Sequence, residues 1–537
     1  MLFLFSLAFA FYYYGIQKGF TPNSENLASI WVAYHNVHNG EQLLSNDLWI
    51  KLCEVAATIW GLSYKSLRMV NTFMYFMITF FALDLSIRSK EGNIRWYAIP
   101  MYMLFMVMMH HGDSVYFGQL TGQVYQYPFD QHMLANFAAI FCVWIVYRIN
   151  NSSKYRIIQY VSAIIIMIFC VKETDLLYLV TFLVPFLLVI LLKIVKHDRM
   201  IVTGLGLVFL GIAVCRFLSQ YIPFFSSLFA NSTGRYSEGY VYGATNFESI
   251  GNLVRNFLNY VGGLSGLFNF DFSGASVFNL NLIIYLVRII LLCVIFYYVG
   301  KKTKNIIFMR EIEDIAESII IVGIVLLSVF FIFTDHGNNI MQMRYLDMIL
   351  PYGTILLCWH IDDFSKIFNL SCLSNKDILF CVACLCVIAS HDYRWGHEKL
   401  EDEWDKEYEY VLELVEDNNL HEGIAGLWTF ASISAVGEGE HILNMGSYKQ
   451  DTKTMELKYL LTTQYFYDYI LLGKDGLNAM EASIELLEES YGKADEIIET
   501  ERYYLVIYRN GIFHNEFYSK LSRVEEIVDI EHEHSEK

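Results

Sequence analysis

The chain has 537 residues, of which 55% are hydrophobic and only 18% charged, against about 25% charged in soluble domains. With a mean hydropathy of +0.36, this composition excludes an ordinary soluble enzyme and indicates a multi-pass membrane protein. The formal charge of −18, heaviest after residue 395, speaks against nucleic acid as a partner and against docking of the tail on anionic lipid.

Apolar runs of about 15–22 residues mark about eleven spans. They lie near 1–17, 69–87, 96–111, 132–150, 157–171, 174–192, 200–218, 280–300, 316–333, 345–361 and 377–391. The first run lacks a basic leader, and cleavage after Ala8-Phe9-Ala10 would leave almost no apolar core, so a retained helix is expected. Lys and Arg gather in alternate connections: Arg88, Lys90 and Arg95; Arg148, Lys154 and Arg156; Lys193, Lys196 and Arg199; Lys301, Lys302, Lys304 and Arg310; Lys366 and Lys376. The positive-inside rule makes these cytoplasmic, along with the amino terminus. Loops 18–68, 112–131 and 219–279 and the tail are then outside. The expected fold is an all-α polytopic membrane domain over 1–391 with a small soluble α/β domain over 392–537.

The first outer loop is patterned. Leu27, Ile30, Trp31 and Tyr34 recur at helical spacing beneath polar Ser29, Asn36 and His38. This predicts an interfacial helix with Trp31 and Tyr34 at headgroup depth. Ser24-Glu25-Asn26 stands at its start, where Ser24 or Asn26 can cap the first turn and Glu25 complements the helix dipole. A second amphipathic stretch leads through Gly61-Leu62-Ser63 and Leu67-Arg68 into helix two.

The second outer loop brings His110-His111-Gly112-Asp113 and then Phe117-Gly118-Gln119. The adjacent histidines lack the i,i+3 or i,i+4 spacing of helical metal ligands, so a divalent cation is left open there and no cofactor is assigned. Asp113 reads either as a second active-site carboxylate or as part of a polar interface loop. Loop 219–279 is aromatic and glycine-rich, with an amphipathic helix near 247–261 that contains Arg255; its length suits a gating lid or packing on the tail. Arg344-Tyr345 opens the tenth span, with Pro351 beyond. An arginine fork at headgroup level suits a phosphate, and snorkelling at a helix end is the alternative.

Beyond 391 the hydropathy collapses. A helix is expected over 398–420 and another over 477–492, with strands at 423–428, 441–445, 465–472 and 502–508. No phosphate loop, Ser-His-Asp order or metal spacing occurs in this part. The ten cysteines lie mostly in apolar runs, and Cys381-x-x-Cys384 reads as packing.

The order of the first loop — membrane helix, acidic residue, surface helix, polar turn, then Gly-x-Ser and Leu-Arg ahead of helix two — resembles that of the polytopic C-superfamily glycosyltransferases (GT-C). Asp113 with Phe117-Gly118-Gln119, and Arg344-Tyr345 followed by Pro351, are similar to elements of some of these enzymes. Gly423–Trp428 and Tyr467–Leu471 resemble the outer C-terminal domain of bacterial relatives. Where the family usually shows Asp or Asp-Glu, this chain has Ser24-Glu25. The resemblance implies a polyprenyl-phosphate-linked sugar, transferred with inversion to an extracytoplasmic glycan, lipid or protein acceptor. It implies Glu25 as general base, with Asp113 as a second carboxylate, and Arg344, Tyr345, His111, Gln119 and Arg255 on the substrates. The rivals are a transporter or flippase of lipid-linked saccharides and a catalytically degenerate scaffold.

Overall fold

The computed structural model describes residues 2–17, 24–38, 48–88, 95–106, 132–151, 176–195, 250–268, 280–306, 312–334, 345–367, 376–390, 403–421, 423–426, 429–438, 443–445, 466–474 and 483–513, with single residues 161 and 337. In chain order the helices are α1 (Leu2–Gln17), α2 (Ser24–His38), α3 (Leu48–Trp60), α4 (Tyr64–Ile87), α5 (Ala98–Met106), α6 (His132–Asn151), α7 (176–195), α8 (Ile250–Leu267), α9 (Leu280–Lys304), α10 (Ile315–Phe333), α11 (Ile349–Ile367) and α12 (Lys376–Ser390). Then follow α13 (Glu403–Asp417), β1 (Gly423–Ala425), α14 (Phe430–Val436), β2 (Leu443–Met445), β3 (Phe466–Gly473), α15 (Ile484–Tyr491), β4 (Glu496–Glu499) and β5 (Tyr503–Phe513).

Among the described residues, three helices are long and apolar enough to cross a membrane: Tyr64–Ile87, Ile284–Lys304 and Ile315–Phe333. Shorter apolar helices stand at Leu2–Gly15, Met133–Arg148, Leu179–Lys193 and Ile349–Ile361. Several helices can thus span a bilayer, as a membrane protein requires. The expected spans 157–171 and 200–218 lie outside the described residues apart from Val161, and each of the others coincides at least in part with a helix.

The chain divides into two compact units. One holds Met1–Tyr13, Phe73–Ala230 and Tyr242–Trp395; the other includes Tyr14–Thr72 and Gly396–Lys537. In the first unit, Arg88, Arg95, Arg148 and Lys302 gather at one end of the helices. Asp84 near the end of α4 receives Nε of Arg88 at 2.9 Å, Nη2 of Arg148 at 3.2 Å and the indole N–H of Trp144 at 2.7 Å. Arg95 donates to the carbonyls of Cys358 and Trp359 in α11, and the Trp359 indole donates to Leu85 O. Next along α11, His360 breaks the helical dihedrals with φ −119° and ψ 17°. Its Nε2 lies 2.8 Å from Glu317 Oε1 and 2.8 Å from the Tyr298 hydroxyl, closing a buried triangle between α9, α10 and α11. Asp314 caps α10 just before it, accepting from Glu317 N at 2.9 Å. Lys302 lies over the Tyr298 ring at 5.9 Å.

Deeper in this unit α7 carries a π turn, Leu179–Leu183. The wider turn loosens the local ladder, and the Tyr352 hydroxyl donates to the Thr181 carbonyl at 3.3 Å. Arg288 of α9 is fully buried. Its guanidinium donates to Leu104 O at 2.7 Å and to Phe268 O at 3.5 Å, at the carboxyl ends of α5 and α8. Helix carboxyl ends carry partial negative charge, which favours a cation there.

The second unit contains a five-stranded sheet of order β2-β1-β3-β5-β4. β1 is parallel to β2 and β3, while β5 runs antiparallel to β3 and β4. The crossover from β1 to β2 passes through α14, a helix the sequence pattern did not show, and β4 was likewise not expected. Ile424, Tyr467, Ile470, Leu472, Leu487, Val506 and Tyr508 form one hydrophobic cluster between the sheet and α15. Glu407 of α13 accepts from the Thr500 hydroxyl at 2.5 Å and from Arg502 N at 3.0 Å, holding the turn between β4 and β5.

Candidate functional site

The first loop folds as a helical pair within the second unit. Leu27, Ala28, Ile30, Trp31, Val32 and Ala33 are each wholly buried, so the middle of α2, which packs on α3 and α14, is covered on more than one face. Trp31 meets the Phe430 ring edge-on at 5.5 Å and the His35 ring at 4.0 Å. The expected placement of Trp31 at headgroup depth is therefore corrected: a protein surface takes the indole in place of lipid. Tyr34 is half-buried and stacks on His38 at 4.0 Å. Burial, helped by the neighbouring His38, pushes His35 down to about 4. On the polar edge, Asn36 Nδ2 donates to Glu54 Oε1 at 2.9 Å, and Lys51 pairs with the same carboxylate at 2.7 Å.

The return into the membrane domain is built by the Gly-x-Ser stretch. Gly61 takes φ +68°, which a Cβ would strain, and its N–H donates to Ala57 O at 2.9 Å, closing α3. Ser63 and Ser66 then clasp the turn: Ser66 Oγ donates to Gly61 O at 2.6 Å and Ser63 Oγ donates to Trp60 O at 2.9 Å. The resemblance to a family motif thus has a complete local explanation as a stop followed by a start. Arg68 lies over the Tyr64 ring at 5.6 Å. One turn on, Gln17 Nε2 at the end of α1 donates to Thr72 Oγ1 at 2.8 Å. Asn71 beside it is fully buried, and among the described residues neither its Nδ2 nor its Oδ1 has a partner. A buried amide left so is costly and asks for a ligand, a water or an ion. Gln17 and Asn71 were not singled out in the sequence; the available signal was a polar residue within an apolar run, three positions after Arg68.

The expected site residues are not assembled into one described site. Glu25 is the second residue of α2, in its first turn, but its side chain lies outside the described residues. His111, Asp113, Gln119 and Arg344 lie outside them altogether. Tyr345 is half-buried at the turn leading into α11, where Asp347 is 8% exposed and within electrostatic reach of Tyr13. Arg255 is exposed on α8. Among the described residues, no three His, Cys, Asp or Glu side chains stand close enough to share a metal ion.

Comparison of the chain with protein families, curated proteins and solved structures finds no match.

Proposed function

We propose that the protein is a membrane glycosyltransferase that moves a sugar from a polyprenyl-phosphate donor to an extracytoplasmic glycan, lipid or protein acceptor. The observation that carries this reading is the first loop: it folds as a fixed helical pair with Glu25 in the opening turn, instead of a plain connector. At the loop's exit, Arg68 and the buried Asn71 supply polar groups near the start of α4. Glu25 would take the proton of the acceptor hydroxyl as that oxygen attacks the anomeric carbon. The bond from the anomeric carbon to the phosphate oxygen breaks on the opposite face, and Arg344 would hold the negative charge that grows on the leaving phosphate. Asp113 would orient the acceptor or sugar, with His111, Gln119, Tyr345 and Arg255 contributing to binding. The gathering of Arg88, Arg95, Arg148 and Lys302 at one end of the first unit supports the proposed orientation, with that end cytoplasmic and the first loop outside.

The experiment is sugar transfer by purified Glu25→Gln in nanodiscs. Glutamine keeps the size but cannot accept the proton, so turnover should fall by about 10²–10⁴-fold with folding intact. If Glu25 only complements the helix dipole, the loss is a few tenths to about 1 kcal/mol of stability, and near-wild-type turnover removes it from the mechanism.

A second reading, a transporter or flippase of lipid-linked saccharides, is favoured by Arg288, a cation wholly buried in a spanning helix. Donor consumption without liposomes separates the two: the transferase consumes donor in detergent, and the transporter does not.

A further inference from the structure

Helix α8 has two unlike faces. On the inner one, Asn256 is wholly buried and Tyr260 and Leu264 are each 6% exposed, and this face packs on α10. Asn256 Nδ2 donates to the carbonyls of Ile332 at 3.0 Å and Thr334 at 3.3 Å, and Asn259 Nδ2 donates to Gly337 O at 2.8 Å. The Tyr260 hydroxyl pairs with Ser328 Oγ at 2.7 Å. Carbonyls at a helix carboxyl end lack partners within the helix, and α8 supplies them for α10. The approach is close: a Cβ at Gly337 would lie 2.5 Å from Phe331 O and 2.7 Å from Asn256 Cγ, so only glycine fits.

The outer face is apolar. Val254, Phe257, Leu258 and Val261 are 51%, 52%, 62% and 47% exposed, and helical spacing puts them in one stripe. Polar Asn252, Arg255 and Asn259 run along its flank. A lid moving in water has no reason to present four large apolar side chains together. The stripe lies level with the last turns of α10, where Val329 and Phe333 are also exposed. α10 is of membrane-crossing length and composition. Both helices thus expose large apolar side chains at this level.

We infer that α8 is seated in the bilayer, in the leaflet at the carboxyl end of α10. Acyl chains cover Val254, Phe257, Leu258 and Val261. The inner asparagines keep their hydrogen bonds inside the protein, as an apolar solvent demands. This seating holds whichever reaction the protein carries out.

The test places the photo-crosslinker benzoyl-phenylalanine at position 257 or 258 of the full chain in phosphatidylcholine nanodiscs. Both positions are exposed, so the fold tolerates the probe. Illumination should add the mass of one phospholipid at the yield obtained with the probe at Leu286, an exposed position of the spanning helix α9. The probe at Tyr410 of α13, 46% exposed, should give no lipid adduct. Absence of lipid adducts at both 257 and 258, or adducts of doubled protein mass instead, overturns the inference in favour of a water-facing helix or a dimer surface respectively.

Discussion

His35 is a neutral imidazole walled in by Trp31 on a helix outside the membrane spans, and this makes the second unit acid-sensitive. Its proton affinity is depressed to about 4 from an ordinary 6.5. Below pH 6.5 the unfolded chain binds a proton that the folded one refuses. Stability from this group is full above about 6.5 and falls with acidification at about 1.4 kcal/mol per pH unit until the folded form also protonates near 4. Melting curves in detergent between pH 7 and 4 should show that slope, and His35→Leu should flatten it. An equal slope in the variant would assign the acid sensitivity to other groups. Asn71 makes the complementary case. If its amide waits for a donor group, Asn71→Leu should raise the KM for donor and leave stability unchanged or higher, because an orphaned polar pair has been removed. A variant that melts earlier with unchanged KM would make Asn71 a structural residue.

Among the elements, the turn from α3 into α4 depends on a single backbone angle. Gly61→Ala places a Cβ in the left-handed region, at a cost of about 1–2 kcal/mol, and a lowered Tm with little change at the distant basic end is the expected outcome. The helical spacing of Leu27, Ile30, Trp31 and Tyr34 was legible because one face of any buried helix carries it. The burial of the remaining faces was not, because Phe430 and its helix lie far along the chain and seven residues of α14 leave too short a pattern. Asp84 and Arg288, ionisable residues within apolar runs, are each held by several partners. The Tyr298–Glu317–His360 triangle escaped notice, since its members come from three separate helices and none has a local signature. The amphipathic helix near 247–261 was visible as a pattern, but periodicity does not say whether its apolar side meets protein, water or lipid.

At the scale of the whole molecule, the alternation of Lys and Arg predicts a topology that one pair of fusions can test. Reporters joined at Lys304 and after residue 400 should report opposite sides of the membrane. Signals from the same side would end the proposed orientation, and with it the outer placement of Glu25. The fold class was legible at the coarse level: apolar helices followed by a small mixed sheet. The grouping of Tyr14–Thr72 with Gly396–Lys537 in one compact unit was not, since hydropathy sees only neighbours in sequence.

That grouping sets a timetable for the ribosome. α2 is among the first segments to be made, yet the helix that covers Trp31 is not complete until Val436 has been polymerised. Through the synthesis and insertion of every helix between, the apolar sides of α2 stand without their final cover. A chain terminated before α14 would leave the indole of Trp31 without the Phe430 ring against which it packs.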